Sequence, residues 1–225
     1  MIFITCLFCG AVSMQSVCPV AVRERPAFYR EQQSNMYSVG IYSFAYCTVE
    51  LPYLMISSLV FTLPFFYIIG FQYTGNPTVK FFWYWLFHSL YMTVLVGFGQ
   101  FLAAVMPSEN AAQVAMGMIT TLIEVFCGFY IKQQNFPTFW TFMYWLNPLH
   151  YCLEGLNMTQ FHDDSTNVLL ADGTETSAQD YINTLYSSWK YGHVHVRDVT
   201  VLIAYILLLR FVTYLALANV KHESR

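Results

Sequence analysis

The sequence predicts an all-α, polytopic membrane helix bundle. Of its 225 residues, 56% are hydrophobic and 19% aromatic, while only 10% are charged, against about 25% charged in an ordinary soluble domain. The apolar residues gather into runs of spanning length, and a bilayer core takes about 20 helical residues. The charges gather too, into short stretches between those runs. A surface this poor in charge is unsuited to water. The formal net charge of −3, without a basic patch, argues against nucleic acid as a partner.

Residues 1–18 are apolar and uncharged. A secretory signal would open with a positive stretch, which is missing here. The segment reads as a first span cut short, with the natural protein beginning further upstream. Residues 23–31 then hold five charges in nine positions. They read as a cytosolic turn, with Pro26 in the first turn of a short helix, where its missing N–H would have no partner anyway. An interfacial helix follows and leads into a span at 50–71, kinked at Pro52 and Pro64 as a bundle tolerates. Residues 70–77 turn outside the membrane.

The span at 80–105 opens on Phe81-Phe82-Trp83-Tyr84-Trp85, the aromatic belt expected where a helix crosses the headgroup layer. His88 reads as a hydrogen-bonded structural residue. Ser108 is placed to cap the next span, 111–131, which carries Glu124. Residues 137–156 are long enough for a sixth span, but Asn147-Pro148 breaks them into two pieces of re-entrant length. An acidic external loop covers 157–197, with an Asn157-Met158-Thr159 glycosylation pattern at its start. The last span, 198–220, carries Arg210, and 221–225 form a basic tail. Five spans put the 23–31 turn and the tail in the cytosol and the acidic loop outside, as the positive-inside bias requires.

A charge at mid-bilayer costs roughly 2.5–3.5 kcal/mol on insertion scales, so it needs a partner or water. Counting residues puts Glu124 about 20 Å and Arg210 about 15 Å above the cytosolic side, which allows an ion pair between them. The alternative is that Arg210 snorkels while Glu124 is protonated or lines a wet cavity. The six cysteines include no paired Cys-x-x-Cys at zinc spacing, and five lie in or beside apolar runs as small buried hydrophobes. No phosphate loop, nucleophile elbow or His-Glu-x-x-His occurs. Binding is therefore the visible chemistry, with no catalytic, cofactor or metal residues assigned.

Glu24-Arg25-x-x-Phe28-Tyr29-Arg30-Glu31, Met36-Tyr37-Ser38 and Val49-Glu50-Leu51-Pro52-Tyr53 resemble the second membrane domain of the pleiotropic drug resistance ABC transporters, subfamily G. The likeness continues through Phe126-Cys127-Gly128-Phe129, Tyr144-Trp145-x-x-Pro148 and Gly155-Leu156. It implies the membrane domain of a type 2 ABC exporter, with re-entrant helices and an external loop. Arg23, Glu24, Arg25, Phe28, Tyr29, Arg30 and Glu31 would dock on a nucleotide-binding domain, which supplies ATP and Mg. Met116, Thr120, Thr121 and Glu124 would line the substrate path, beside Met118 and Phe126, and Phe129 and Tyr130 would plug it. The implied partners are that domain, a second transmembrane half, a hydrophobic small molecule or lipid, and the bilayer, of the plasma membrane. The sequence departs from the family in lacking the first helix and both ATP-binding domains, and in Glu124 and Arg210. Two other readings compete: a non-transporting membrane fragment, and a membrane-embedded transferase using His88 or His150.

Overall fold

The computed structural model describes residues 2–71, 76–132, 135–161, 167–169, 175–186 and 194–220. Helix α3 (Pro77–Val105) is the axis on which the other long helices pack. Around it stand α1 (Ile2–Gln33), α2 (Val39–Ile69), α4 (Glu109–Val125), α6 (Pro148–Phe161) and α8 (Val194–Asn219). Smaller pieces are a 3-10 turn (Thr138–Trp140), α5 (Thr141–Trp145) and α7 (Ala178–Leu185). An antiparallel ribbon joins β1 (Asn167–Leu169) to β2 (Glu175–Ser177), with Asn167 opposite Ser177.

Four helices are long and apolar enough to cross a membrane: α1, α2, α3 and the His195–Asn219 part of α8. The chain is a multi-pass, all-α membrane protein. In the most apolar stretch of α3, 78% of residues are buried, against 22% in α2, so α3 is the core helix and α2 a peripheral one. Helix α2 is accordingly built inside out. Its buried stripe is Ser43, Cys47, Leu54, Ser58, Thr62 and Phe66, while Phe44, Ile56, Val60 and Ile68 point outward. In a bilayer, apolar surface gains nothing by leaving lipid, so small and polar groups carry the helix contacts. Ser58 Oγ lies 2.9 Å from His88 Nδ1, which gives His88 the hydrogen bond expected of it.

Close approach of α1 to α3 depends on glycine. A Cβ on Gly99 would stand 2.7 Å from the Met14 carbonyl oxygen, so any larger residue there would force the helices apart.

Several elements differ from expectation. Residues 23–31 form no separate turn: α1 runs through them to Gln33, with Pro19 and Pro26 inside it. Each proline removes one backbone hydrogen bond, which neighbouring helices make tolerable. The helix stops where Asn35 takes a positive φ of 53° and Ser34, Asn35 and Met36 turn back onto its last carbonyls. The interfacial helix and the span at 50–71 are one helix, α2, capped by Ser38 Oγ and closed by Gly70 at φ 84°.

Ser108 Oγ caps α4 by accepting from Ala111 N at 3.3 Å, as expected. The helix then ends at Val125, short of 131. The break at Asn147-Pro148 is present, but the second piece extends to Phe161, into the expected loop. Residues 72–75 of the 70–77 turn, Asp163, Asp164, Asp172 and Lys190 of the acidic loop, and the 221–225 tail lie outside the described residues.

Candidate coupling surface and substrate path

The charged end of α1 divides by helical periodicity. Arg25, Phe28 and Tyr29 are buried, while Arg23, Glu24 and Arg30 are exposed. The spacing i, i+3, i+4 places the buried three on one face. Arg25 Nη1 donates to the Met106 carbonyl at 2.8 Å, clasping the end of α3. Phe28 stacks on Tyr42 at 4.3 Å, and Tyr29 Oη reaches the Val220 carbonyl at 3.5 Å. Tyr37 Oη donates to Glu31 Oε2 at 2.5 Å; burial and that bond push the Tyr37 phenol up to about 12. The expected coupling set is thus three outward charges on a base riveted to α2, α3 and the end of α8.

On α4 the expected path residues separate as well. Met116 is 0% exposed in the hydrophobic core, so it lines nothing, a correction that follows from α4 packing that face onto α1 and α3. Thr120 is half-buried, its Oγ1 donating to Met14 Sδ at 3.8 Å. Thr121 is exposed and bonds back to the Gly117 carbonyl, while Glu124 is half-buried. Gln113, which the sequence reading missed, donates to the Gln15 carbonyl at 3.3 Å. Gln113, Thr120 and Glu124 follow helical spacing and form a polar stripe along the α1 side of α4.

Phe129 and Tyr130 lie past the end of α4, 47% and 64% exposed. Gly128, at φ 93°, makes the turn that aims them. Phe3 of α1 stacks on Phe129 at 4.1 Å and meets Tyr130 edge-on at 5.3 Å. An aromatic cluster therefore joins the N-terminal end of α1 to the chain just past α4, and Phe3 is a member the sequence reading did not single out. On the far side of α4, Leu122, Phe126, Leu146, Tyr205 and Leu209 line an apolar cavity of about 300 Å³ between α4 and α8.

Arg210 and Glu124 do not pair. Arg210 Nη1 donates to Gln100 Oε1, which also accepts from Cys47 Sγ at 3.6 Å. Glu50 lies within electrostatic range of the guanidinium. Height explains the correction. Glu124 sits one residue from the C-terminal end of α4, about 22 Å along it from Glu109, whereas Arg210 stands about 13 Å along α8 from Asn219. Glu50, about 16 Å along α2, is at the matching level.

At the opposite end, Glu154 is buried between Arg197 Nη2 at 2.5 Å and His150 Nε2 at 3.5 Å, and Arg197 Nε also donates to Asp198 at 2.8 Å. Asn157 falls within α6, its amide donating to the Leu153 carbonyl at 2.8 Å, with Met158 and Thr159 buried. The glycosylation pattern is therefore in a packed helix rather than an exposed loop. His88 and His150 are fully buried, which gives a transferase substrate no access to either ring. Among the described residues no group of His, Cys, Asp and Glu is arranged to hold a metal ion.

Known proteins match over these same elements. The model of the ABC-2 type transporter family matches residues 1–161. ABC transporter G family member 31 of Oryza sativa subsp. japonica is 36% identical over 78% of this chain, which covers 12% of that protein. ABC transporter G family member 40 of Arabidopsis thaliana is 36% identical over 70% of the chain, covering 11% of its own length. Pleiotropic drug resistance protein 1 of Nicotiana tabacum is 33% identical over 72% of the chain, again covering 11%. The chain spans only about an eighth of the length of these relatives.

Proposed function

The chain belongs to the ABC-2 type transporter family, and from that premise we propose that it is the membrane-spanning part of an ATP-driven exporter of the pleiotropic drug resistance type, subfamily G. It moves hydrophobic small molecules or lipids, in the plasma membrane, together with a second transmembrane half. ATP and Mg act on nucleotide-binding domains outside this chain.

The observation that carries this reading is the division of α1's charged end. Arg23, Glu24 and Arg30 present a polar surface to a docking domain, while Arg25, Phe28 and Tyr29 fasten the same helix turns to α2, α3 and the end of α8. A push on the outward charges therefore turns several helices together, as a lever must. Helix α1 continues without a break from that surface to Phe3, so the motion reaches the aromatic cluster. Ile4, Phe8 and Val12 of α1 and Val114 and Met118 of α4 are exposed apolar residues on the two helices. Facing a second half, they would wall a path for poorly defined hydrophobic substrates. In this reading residues 137–156 re-enter the membrane from outside, and the described residues 167–169 and 175–186 face outward.

The test replaces Arg23, Glu24 and Arg30 together by alanine in the assembled transporter. Efflux falls by at least tenfold while membrane abundance and ATP hydrolysis persist. Unchanged efflux would overturn the coupling role. Reaction of a cysteine at position 23 with an impermeant reagent on intact cells would overturn the orientation.

A further inference from the structure

The apolar cavity of about 300 Å³ between α4 and α8 is a groove on the flank of the bundle. Its walls come from the last turns of α4 and the middle of α8, with Phe98 of α3 between them and the Asn147-Pro148 break beside them. Ile123 and Leu209 lie buried at its bottom, while Leu122 and Leu208 are exposed at its rim. Two lining side chains carry nitrogen or oxygen, and both are already engaged. Asn147 donates to the Ile123 carbonyl and accepts from Leu149 N, and Tyr205 Oη donates to the Leu146 carbonyl at 2.7 Å. An occupant with polar groups would lose its own hydrogen bonds here and regain none from these side chains. The groove therefore suits hydrocarbon.

Depth says which hydrocarbon. Val212 and Tyr205 lie about 10 and 21 Å along α8 from Asn219. That is the middle of a helix long enough to cross a hydrocarbon layer about 30 Å thick. Headgroups and water stay at the two faces of such a layer, so lipid tails are what meets the groove. The space is about twice the roughly 150 Å³ of a cavity that stays dry and binds benzene. Left empty, its lining would forfeit dispersion contacts on one side. Tails also meet Ile56, Val60 and Ile68 on the outward face of α2, but a convex helix face touches a chain on one side only. Walls on α4 and α8 with a bottom between them bury far more of it.

We propose that this groove is a lipid seat, which holds one acyl chain of a bilayer phospholipid while the surrounding lipid exchanges. The chain packs on Leu122, Ile123 and Phe126, the turns of α4 that lead to its Asn147-capped end, and on Tyr205 to Val212 of α8. It thereby sets the spacing of the two helices. The seat rests on the chain crossing a membrane and not on the transport reading.

The test places the purified protein in nanodiscs of phosphatidylcholine carrying a diazirine midway along one acyl chain. After irradiation, mass spectrometry of the digested protein shows residues 119–126 and 205–212 labelled severalfold more than residues 56–68 of α2, which are also lipid-exposed. Leu208→Trp, at the exposed rim, fills the groove with its ring. It lowers the groove labelling severalfold and leaves the α2 labelling and the unfolding midpoint unchanged. For a readout free of variants, the unaltered protein passed into detergent retains one phospholipid per chain by native mass spectrometry. Equal labelling of groove and α2, groove labelling that survives Leu208→Trp, or loss of all phospholipid in detergent would each overturn the seat. So would protein-to-protein cross-links through a photoreactive residue at position 208, which would mean that another helix covers the groove.

Discussion

Asn147 donates its side-chain amide to the Ile123 carbonyl at 2.6 Å, while its Oδ1 accepts from Leu149 N at 2.9 Å. One side chain thus satisfies a carbonyl orphaned at the end of α4 and an N–H orphaned at the start of α6. It fixes where α4 stops and hence where Gly128 turns the chain toward the aromatic cluster. Asn147→Leu keeps the volume and loses both bonds, so stability falls by about 2–3 kcal/mol. Asn147→Asp keeps only the bond to Leu149 and falls between. Denaturant titration in detergent measures both, and equal stabilities for the two variants would contradict the double cap.

At the aromatic cluster, Phe3→Ala removes the ring stacked on Phe129 and leaves Tyr130 without its edge contact. An aromatic pair adds about 0.5–1.5 kcal/mol beyond area, and the vacated space loosens the join between α1 and the chain just past α4. Basal leakage of a hydrophobic dye rises severalfold in the transporter carrying this change. Phe3→Leu restores the seal in part. No change in leakage with either variant would remove Phe3 from the closure.

The helices themselves were legible in the apolar runs, because spanning length and low charge leave few alternatives. Ser108 as a cap and the break at Asn147-Pro148 could also be read, since both rest on local chemistry. The end of α4 could not, because a carbonyl bond from a side chain 24 residues away decides it. Counting residues left Glu124 and Arg210 only about 5 Å apart in level, and the observed helix bounds widen that to about 9 Å. Glu50 was visible at the right level all along, and Gln100 was missed because an uncharged amide attracts no notice in a span. Pro26 and the charges around it suggested a turn where tertiary packing keeps α1 helical. The inward face of Arg25, Phe28 and Tyr29 was available from spacing alone.

Arg210 and Glu124 are energetically independent in this arrangement. Replacing each by glutamine gives effects that add within about 0.5 kcal/mol. Arg210→Gln combined with Gln100→Leu departs from additivity by about 1 kcal/mol or more, because those two share a hydrogen bond. A coupling found in the first pair and missing in the second would restore the pairing that counting suggested.

Arg197 holds two buried acids, Glu154 and Asp198. Arg197→Ala strands both, at a cost of about 2–4 kcal/mol, discounted from a wholly buried pair because the arginine is partly exposed. Glu154→Gln in the same chain removes one stranded charge and recovers at least half of the loss. Yield of monodisperse protein and its unfolding midpoint report the effect. Failure of the second substitution to recover anything would mean that Arg197 acts through packing.

Under the proposed coupling role, the division of α1's end separates stability from coupling, which makes the two faces distinguishable in one experiment. Phe28→Ala empties a buried, ring-stacked site and costs about 3–4 kcal/mol of stability. Arg30→Ala, on the exposed face, changes stability by less than about 0.5 kcal/mol and lowers efflux. Tyr42→Leu sits between them: it keeps the buried volume but loses the stack with Phe28, so it weakens the link from lever to α2 while α1 stays folded. ATP hydrolysis and efflux measured side by side should then show hydrolysis preserved and efflux reduced for Arg30→Ala and Tyr42→Leu alike. If Tyr42→Leu exports at the parental rate, force reaches the bundle through Arg25 and the end of α3 instead, and Met106 becomes the residue at which the push arrives.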